Sequence, residues 1–521
     1  MMMPDGDAPQ QGSAMGGDGQ DETIDFLRRT AFGDVAPTGI ETVQTHISLV
    51  LIGGGTAIKL KRAVRLGYVD FSTPERRLAA CQRELELNRR TAPMLYRGVR
   101  RIVRRPDGGL ALDADGELVD AVVEMARFDA DGLFDQMAID GTLTAPLMTR
   151  LTGHIAGFHA GLPAEEGSGG AAVMAAVLAI NERALATTSV FPPDEVAAFN
   201  RRFREALATH ADLLDRRGAA GKIRRCHGDL HLRNICLVAG EPTLFDCLEF
   251  DEAMATTDIL YDLAFLLMDL WHRGLEEAAN LVLNRYLDAL DESDGLPLLP
   301  FLMAVRAAVR AHVAATRAAD GGAAGAAGEA HTYFDLALDL LAPRAPRMVA
   351  VGGLSGSGKS TVAAAIAPGI GPVPGARILA SDRIRKRHFA VPAETRLPAE
   401  CYAPEVSDQV YDELIATAER VARLGHGVVA DGVFDRPTER ARIAAAAEAA
   451  GVPFTGLWLE APAERLLERV AGRTGDPSDA TPDVVRGQLA RSRAPVEWEV
   501  LPSEASTEIV AERARRLIDG R

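Results

Sequence analysis

The sequence predicts two domains: an α+β domain in which strands precede helices, followed by an α/β domain built on a parallel sheet. Length is the first reason, because 521 residues exceed what one hydrophobic core usually holds. The second is the order of patterns, since strand-like segments dominate to about Met125 and helical periodicity dominates from about Leu147 to Ala319. The third is the alternation of strand and helix from Met348 onward, which is typical of a parallel sheet.

The composition is that of a globular protein rather than a disordered or fibrous one. Hydrophobic residues make up 47% and charged residues 25% of the chain. We find no apolar stretch of the roughly 18 residues that a bilayer requires, and Met1 to Gly6 lacks the basic and apolar regions of a secretion signal. We therefore expect a cytoplasmic protein with no membrane partner. The net charge of −16 makes nucleic acid an unlikely partner, and the oligomeric state stays open.

The cysteines do not form a metal-ligand or disulfide pattern. Their number is odd and their spacing is wide, and there is no Cys-x-x-Cys pair. We expect reduced packing residues at all five positions: Cys81, Cys226, Cys236, Cys247 and Cys401.

Composition and periodicity divide the chain into four segments. Residues 1–21 are rich in Gly, Asp and Gln and are expected to be disordered. Residues 22–320 form the first domain, residues 321–345 a Gly- and Ala-rich linker with a connecting helix, and residues 346–521 the second domain.

The first domain opens with a predicted β-hairpin. Ser48–Ile52 and Thr56–Leu60 are apolar, and Gly53-Gly54-Gly55 turns between them. Ser72-Thr73-Pro74-Glu75 has the Ser-x-x-Glu form of a capping box and predicts a helix that runs to about Arg90. Ala121–Met125 predicts a further strand.

A motif for phosphate chemistry lies in the middle of the chain. Asp229 and Asn234 stand five residues apart, and an apolar run that ends at Asp246 follows them. This is the spacing of a protein-kinase catalytic loop and its second metal-binding Asp. Asp229 is therefore the candidate base, with Asn234 and Asp246 as candidate Mg²⁺ ligands. Together with strands before helices, the motif predicts a bilobed, protein-kinase-like domain that uses ATP.

Such a domain also needs a lysine for the nucleotide phosphates and a glutamate to hold that lysine. Lys59 in Ala57-Ile58-Lys59 matches the strand lysine, although a lysine beside Lys61 and Arg62 could be a solvated strand residue. Glu84 is the candidate partner, and Glu86 is its competitor. Because the glycine triplet reads as a hairpin turn, the phosphate lid falls on Thr45-His46-Ile47-Ser48, which contains no glycine.

This ordered set resembles the aminoglycoside phosphotransferase family over roughly residues 22 to 320. The family form His-Gly-Asp-x-His-x-x-Asn is met by His227-Gly228-Asp229-Leu230-His231-Leu232-Arg233-Asn234. The resemblance implies a kinase-like fold that transfers the ATP γ-phosphoryl group to a small-molecule hydroxyl. It also implies that His227 and His231 orient the loop, and that Asp258 and Asp262 support the start of a helix.

The second domain begins with a complete Walker A sequence between a predicted strand and a predicted helix. Glycines free successive backbone N–H groups to cradle phosphate at a helix N-terminus. Lys359 would reach the β/γ-phosphates, and Ser360 would bind Mg²⁺. The candidate nucleotide-binding residues of this loop are Gly353, Ser355, Gly356, Ser357, Gly358, Lys359, Ser360 and Thr361.

Two carboxylates stand at predicted strand ends of this P-loop domain. Asp382 follows the second strand, where P-loop kinases hold the acceptor hydroxyl, and its Asp-x-x-Arg spacing with Arg385 resembles the zeta toxin, gluconate kinase and polynucleotide kinase group. Asp382 is therefore the candidate base. Asp431 ends an apolar strand as a Walker B-like metal ligand would, with a helix N-cap or turn residue as the alternative.

Three arginines recur on one predicted helical face: Arg465, Arg469 and Arg473. They resemble lid arginines that close over ATP, and Arg469 and Arg473 are candidate nucleotide contacts. A solvated helix face is the alternative, because Glu464 and Glu468 lie beside them.

The expected function is a bifunctional ATP- and Mg²⁺-dependent phosphotransferase that acts on small-molecule hydroxyls at two sites. One alternative is a single active kinase domain regulated by a nucleotide-sensing domain. Another is a P-loop half that phosphorylates nucleic-acid 5′ ends, which a basic groove at Arg383, Arg385, Lys386 and Arg387 would support. The acceptor cannot be read from the sequence.

Overall fold

The computed structural model describes residues 19–66, 69–165, 167, 169–319, 325–472, 477–491 and 496–520. Most of the N-terminal segment expected to be disordered lies outside that part. Packing divides the chain into two units, one of Met1–Arg183 with Leu207–Asp269 and the other of Ala184–Ala206 with Leu270–Arg521.

The first part of the chain forms an antiparallel sheet. Its order is β1-β2-β3-β8-β6-β7, and β4 pairs with β5 separately. The strands are β1 (Glu41–Gln44), β2 (Ser48–Gly53), β3 (Thr56–Lys61), β4 (Arg65–Leu66), β5 (Val69–Asp70), β6 (Tyr96–Arg104), β7 (Leu110–Leu112) and β8 (Glu117–Ala126). The predicted hairpin is confirmed, since β2 and β3 pair antiparallel from Ser48↔Lys61 to Gly53↔Thr56. Gly54 turns between them with φ of 56°.

Two helices, α1 and α2, pack against this sheet, and further helices occupy most of the chain between it and the P-loop domain. Their bounds are α1 (Asp21–Thr30), α2 (Pro74–Asn88), α3 (Phe134–Ile139), α4 (Ala145–Gly161), α5 (Gly170–Ala186), α6 (Pro193–Ala219), α7 (Glu252–Ala255), α8 (Ile259–His272), α9 (Glu276–Ala289), α10 (Leu299–Ala319) and α11 (Ala326–Leu340). The middle of β8 is buried on both faces of the sheet, and its successive side chains point to these faces in turn. Val122 packs with Leu27 of α1, whereas Val123 packs with Cys81 of α2.

The cap of α2 differs from the sequence prediction by one residue. Thr73, not Ser72, is the N-cap, and its hydroxyl accepts a hydrogen bond from Arg76 N at 3.4 Å. Ser72 instead donates to Asp70 Oδ1 at 2.6 Å. The shift follows from Pro74, whose fixed φ suits the first helical position and so places the cap directly before it.

Short strands frame the catalytic-loop motif. They are β9 (Ile223–Arg225), β10 (Ile235–Val238), β11 (Glu241–Leu244) and β12 (Thr256–Asp258). Strand β9 pairs with β12, and β10 pairs with β11. The motif therefore runs from the end of one small sheet into the start of the other.

One helical stretch corrects the hydropathy expectation. Ser293–Ala319 is long and apolar enough to cross a membrane by length and composition. However, 78% of its most apolar window is buried within the protein, as in a core helix. Helix α11, which the sequence predicted near His331–Leu341, is present, and residues 321–324 before it lie outside the described residues.

The P-loop half is a five-stranded parallel sheet with helices around it. Its order is β14-β15-β13-β16-β17. The strands are β13 (Met348–Gly353), β14 (Arg377–Ala380), β15 (Val428–Asp431), β16 (Phe454–Glu460) and β17 (Glu499–Pro502). The helices are α12 (Lys359–Ile366), α13 (Ser381–His388), α14 (Pro404–Arg423), α15 (Pro437–Ala449), α16 (Ala463–Ala471), α17 (Pro482–Ala490) and α18 (Thr507–Ile518). The predicted alternation of strand and helix from Met348 onward is confirmed, but β17 was not predicted, because four residues with charge at one end carry little strand signal.

Candidate functional site

The residues proposed to hold the nucleotide in the first domain meet in one buried cluster. Lys59 Nζ lies 2.6 Å from Glu84 Oε1 and 2.6 Å from Asp246 Oδ1. Lys59 comes from β3, Glu84 from α2, and Asp246 from the segment after β11. Glu86, the competitor of Glu84, is exposed and pairs with Arg83 instead. Three distant segments of sequence thus converge on one ammonium group.

A second lysine extends this cluster. Lys61 follows Lys59 by two residues and so points to the same face of β3. Its Nζ lies 2.5 Å from Glu84 Oε2 and also contacts Glu249. The charges therefore alternate along a chain, Asp246–Lys59–Glu84–Lys61–Glu249. The roles of Lys61 and Glu249 were not predicted from the sequence, although the i, i+2 spacing of the two lysines could have indicated a shared face.

Mutual attraction keeps Lys59 and Asp246 ionised. Burial opposes the charge of Lys59, but the carboxylates of Asp246 and Glu84 outweigh it and raise the pKa of Lys59 well above its usual value. Burial likewise opposes ionisation of Asp246, and nearby positive charge, above all the Lys59 ammonium, outweighs it and lowers the pKa of Asp246 to about 2. Lys59 and Asp246 therefore form an ion pair at neutral pH.

The backbone of Asp246 is held in an unusual conformation. Its φ is 59°, in the left-handed region that non-glycine residues rarely adopt. Asp246 N donates to the hydroxyl of Tyr96 at 3.2 Å, and Cys247 N donates to Asn88 Oδ1 at 2.9 Å. These two hydrogen bonds hold the backbone on either side of the Asp246 carboxylate in this conformation.

The catalytic loop brings Asp229 and Asn234 together. Asn234 Nδ2 donates to Asp229 Oδ2 and to its backbone oxygen, each at 2.9 Å. His231 Nε2 lies 3.4 Å from Asp229 Oδ1. Phe245 N donates to Asn234 O at 3.0 Å, so the segment that carries Asp246 runs beside Asn234. The structure thus assembles the candidate base and both candidate metal ligands in one place.

Asp262 anchors this loop, which the sequence analysis did not recognise. We expected Asp258 and Asp262 to support the start of a helix. Asp258 does so, since its Oδ1 accepts from Leu260 N at 2.8 Å. The Asp262 carboxylate instead accepts from His227 N at 3.2 Å and Gly228 N at 2.8 Å. It therefore holds the backbone that enters the motif.

His227 itself is a buried structural residue, as the resemblance implied. Its Nε2 lies 3.0 Å from Phe245 O, and burial lowers its pKa to about 4. Nearby, His159, Cys226 and Asp262 bring three potential metal-ligand atoms within 4.8 Å of one another. Because the Asp262 oxygens already accept backbone N–H groups, this cluster reads as support for the loop.

The turn between β1 and β2 takes the place of a glycine-rich lid. It contains Thr45, His46 and Ile47, and Thr45 N donates to Ser48 O at 2.8 Å. The Arg62 guanidinium donates to Thr45 O at 3.3 Å and to His46 O at 3.2 Å. The lid position predicted from the sequence is therefore a tight turn tied to the end of β3.

The P-loop between β13 and α12 has the conformation that phosphate binding requires. Gly353, Gly356 and Gly358 have φ of 139°, 88° and 91°. A Cβ at Gly353 would lie 2.7 Å from Ser357 Oγ, and one at Gly356 would lie 2.7 Å from Leu466 O. The loop therefore forms a cradle that side chains would fill, and its residues fit a nucleotide phosphate.

The metal-ligand candidates of the P-loop meet directly. Ser360 Oγ donates to Asp431 Oδ2 at 2.6 Å, and Asp431 is buried at the end of β15. Hydroxyl and carboxylate oxygens are ligands that Mg²⁺ prefers, so this pair fits the ion. Lys359 Nζ donates to Leu354 O at 3.0 Å. Gln488, which was not predicted from the sequence, accepts through its Oε1 from Ser355 N at 3.0 Å.

A cavity of about 280 Å³ adjoins the P-loop. Its lining includes Gly358, Thr361, Arg469, Ser503 and Val510. Of the three arginines predicted on one face, Arg469 lies at the cavity and donates to Gly356 O at 3.3 Å and to Ser503 O at 2.8 Å. Arg465 is exposed and pairs with Glu468, and Arg473 lies outside the described residues.

Asp382 occupies the first turn of α13, directly after β14. Burial raises its pKa, and a hydrogen bond from Ser478 and the charges of Lys359 and Arg385 act in the opposite direction. Asp382 is thus placed and tuned as a candidate proton acceptor.

The basic groove considered for nucleic acid is not formed by the four cations proposed for it. Lys386 is buried and contacts Asp479, and Arg385 is buried and donates to Cys401 O at 2.8 Å. The other two cations pair with carboxylates: Arg383 with Asp288, and Arg387 with Glu413. These contacts engage all four cations, although Arg387 keeps 43% of its side chain exposed, and the 5′-end kinase stays an alternative.

These folds and sites define a chain with one kinase-like domain of the phosphotransferase class and one P-loop domain. The "Phosphotransferase enzyme family" model matches residues 110–297, and the "AAA domain" model AAA_33 matches residues 348–495. The predicted resemblance to aminoglycoside phosphotransferases and P-loop kinases is confirmed. An uncharacterized protein of Mycobacterium tuberculosis (strain ATCC 25618 / H37Rv) is 31% identical over 487 residues, which is 87% of this chain and 90% of that protein. An uncharacterized protein of Mycobacterium bovis matches equally. The chain belongs to the same family as these proteins.

Solved structures resemble single halves of the chain. A sugar kinase of Janibacter sp. HTCC2649 is 25% identical and covers 33% of this chain and 95% of its own, with a TM-score of 0.24. A choline/ethanolamine kinase family protein of Mesorhizobium loti is 13% identical and covers 61% of this chain and 94% of its own, with a TM-score of 0.39.

Proposed function

We propose that the protein is a bifunctional phosphotransferase that transfers the γ-phosphoryl group of ATP to small-molecule hydroxyls at two separate sites. One observation carries the proposal: each half has its own cation and its own oxygen donors for a metal. Lys59 and Asp246 serve the kinase-like site, and Lys359 with the Ser360–Asp431 pair serves the P-loop site.

In the kinase-like site, Asp229 accepts the proton of the attacking hydroxyl. Lys59 holds the nucleotide phosphates, and Glu84 keeps Lys59 in place. Asn234 and Asp246 would hold Mg²⁺, which when bound neutralises charge on the phosphates. Asn234 also directs the Asp229 carboxylate through its 2.9 Å hydrogen bond.

In the P-loop site, the backbone N–H groups of the glycine-rich loop bind phosphate oxygens, and Lys359 adds a positive charge. Ser360 and Asp431 would hold Mg²⁺. Arg469 belongs to the wall of the nucleotide cavity. Asp382 accepts the proton of the acceptor hydroxyl, and its raised pKa makes it a stronger base than an ordinary carboxylate.

Two single variants and their combination test the proposal. Asp229→Asn and Lys359→Ala are made in the full chain, and ATP consumption is measured with pooled sugars, amino sugars, nucleosides and aminoglycosides. Two active sites predict that each variant loses one set of acceptors and that the double variant loses both. If Lys359→Ala leaves all transfer intact, the P-loop half is a sensor, and the bifunctional proposal fails.

The proposal extends to the location of the protein, its partners and the bounds of its two domains. We place the protein in the cytoplasm, where ATP and Mg²⁺ are abundant, with small hydroxyl compounds as its partners. The domain bounds of 22–320 and 346–521 describe the two catalytic modules by sequence motif.

A further inference from the structure

Helix α9 carries a stripe of buried polar side chains. Asn280, Asn284 and Asp288 recur every four residues and so lie on one face of the helix. Asn280 and Asn284 are each only 1% exposed. A buried amide without partners costs free energy, so a stripe of this kind needs hydrogen-bonding groups opposite it.

Those groups belong to the edge of the P-loop sheet. Asn280 Nδ2 donates to Pro374 O and Ala376 O, each at 3.0 Å. Asn284 Nδ2 donates to Ala376 O at 3.1 Å, and its Oδ1 accepts from Ile378 N at 2.7 Å. Strand β14 is the outermost strand and pairs on its other side with β15.

The hydrogen bonds from the two asparagines of α9 resemble those that a neighbouring strand would make with the open edge of the sheet. An edge strand presents an N–H and a C=O on its open side at alternate residues. Ala376 O and Ile378 N are two residues apart on that side, and the two asparagines satisfy both. Helix α9 therefore supplies through side chains what a neighbouring strand would supply through its backbone.

The end of the stripe reaches the start of α13. Asp288 Oδ1 lies 2.7 Å from Arg377 Nη2, and Asp288 Oδ2 lies 3.4 Å from Arg383 Nη1. Arg285 also contacts Asp288. Because Arg383 directly follows Asp382, one carboxylate of α9 ties the first residue of β14 to the turn that carries the candidate base.

We propose that α9 is an integral edge element of the P-loop domain and that Asp288 is a positioning residue for Asp382. The second part rests on the proposed function of Asp382. Helix α9 falls within residues 110–297, which match the phosphotransferase family model, yet it packs in the same unit as the P-loop. The structural P-loop module therefore begins at or before Glu276, and a cut at residue 346 would strip the edge of β14.

The contact between Asp288 and Arg383 should matter for catalysis at Asp382 rather than for nucleotide binding. Strand β14 and the first turn of α13 set where the Asp382 carboxylate lies. Loss of the Asp288 contact frees this turn without touching the P-loop, Lys359 or the cavity beside it. The expected defect therefore falls on turnover and not on nucleotide binding.

The test uses the full chain with Asp229→Asn as background, so that ATP turnover reports the P-loop site. Asn284→Leu removes the edge hydrogen bonds at similar volume. Asp288→Asn and Arg383→Gln each break the contact between Asp288 and Arg383. Arg383→Gln keeps Asp288 paired with Arg377, so it remains usable if Asp288→Asn does not fold. Asp288→Glu is the rescue variant. Asp291→Asn is the matched control, because it removes the same charge from a nearby exposed pair with Arg420.

Hydrogen exchange over residues 374–389 tests the edge role of α9, and steady-state kinetics test the positioning role of Asp288. We expect exchange to accelerate in Asn284→Leu and Arg383→Gln but not in Asp291→Asn. We also expect kcat to fall about tenfold in Asp288→Asn and in Arg383→Gln, with KM for ATP within about twofold, whereas Asp288→Glu should keep most of the parent kcat. Unchanged exchange in both variants overturns the edge role, and accelerated exchange with unchanged kcat overturns the positioning role. If the Asp229→Asn protein turns over ATP no faster than the same protein with Lys359→Ala added, the proposed function of the P-loop site fails. The positioning role of Asp288 then fails with it. Hydrogen exchange still decides the edge role of α9.

Discussion

Lys61 Nζ lies 2.5 Å from Glu84 Oε2, on the carboxylate oxygen that Lys59 does not contact. Glu84 is thus shared between two lysines. When Lys59 interacts with nucleotide phosphates, the contact with Lys61 still compensates the buried Glu84 charge. Because Lys61 also contacts Glu249, three residues after Asp246, it ties α2 to the segment that carries the metal-ligand candidate.

Lys61→Met is therefore expected to damage the kinase-like site although Lys61 is not a nucleotide contact. It leaves Glu84, Asp246 and Glu249 with one buried lysine, and removal of one partner from a buried ion pair costs about 3–5 kcal/mol. Hydrogen exchange of β3 and α2 measures the loss of stability. The control is Arg65→Met, since Arg65 is 80% exposed in its pair with Asp70. Equal exchange in the two variants would contradict a structural role for Lys61.

Glu84 and Glu86 offer a matched comparison two residues apart. Glu84→Gln removes the charge that raises the pKa of Lys59 and weakens its hold on the phosphates. In a Lys359→Ala background, we expect the KM for ATP to rise and kcat to fall, together by about tenfold or more in kcat/KM. Glu86→Gln changes an exposed pair with Arg83 and should alter neither constant measurably. A larger effect at Glu86 would refute the assignment of Glu84.

His426 is expected to make the P-loop unit sensitive to acid. Burial lowers its pKa to about 4, from about 6.5 in the unfolded chain. The unfolded state therefore binds the proton more readily, so the stabilising effect is present above about pH 6.5 and is lost as the pH falls toward 4. The maximum loss is about 3 kcal/mol.

His426→Asn tests this because an amide can still donate to Gly375 O, which His426 Nε2 contacts at 3.0 Å. Urea unfolding is followed by tryptophan fluorescence, since Trp271, Trp458 and Trp498 all lie in the unit that contains His426. The variant should show a flatter decline between pH 6.5 and 4. His46→Asn, at an exposed position, should decline like the parent protein.

Local sequence patterns predicted much of this fold, but they did not reveal the roles of residues whose partners lie far along the chain. The β2–β3 hairpin and the P-loop follow from glycine conformation and strand periodicity, which are local properties. The roles of Glu249 and Asp262 depend on residues 188 and 34 positions away, so only the fold reveals them. The polar stripe of α9 looks like a solvated helix face in the sequence, and burial against β14 reverses that interpretation.

Asp382 should set the pH dependence of the P-loop site. Its pKa is raised, mainly by burial, so the ionised base is lost at a higher pH than for an ordinary carboxyl group. In an Asp229→Asn background, kcat should therefore rise with pH through a limb that lies above the usual carboxylate range, and Asp382→Asn should lower kcat by about 10²-fold or more and abolish that limb. Binding of ADP, measured by calorimetry, should survive the change because the P-loop contacts remain. The matched control is Asp435→Asn, which neutralises a carboxylate whose recorded partner is the exposed Arg491. If Asp382→Asn keeps full turnover with the same pH limb, another group accepts the proton, and the role of Asp382 is limited to the start of α13.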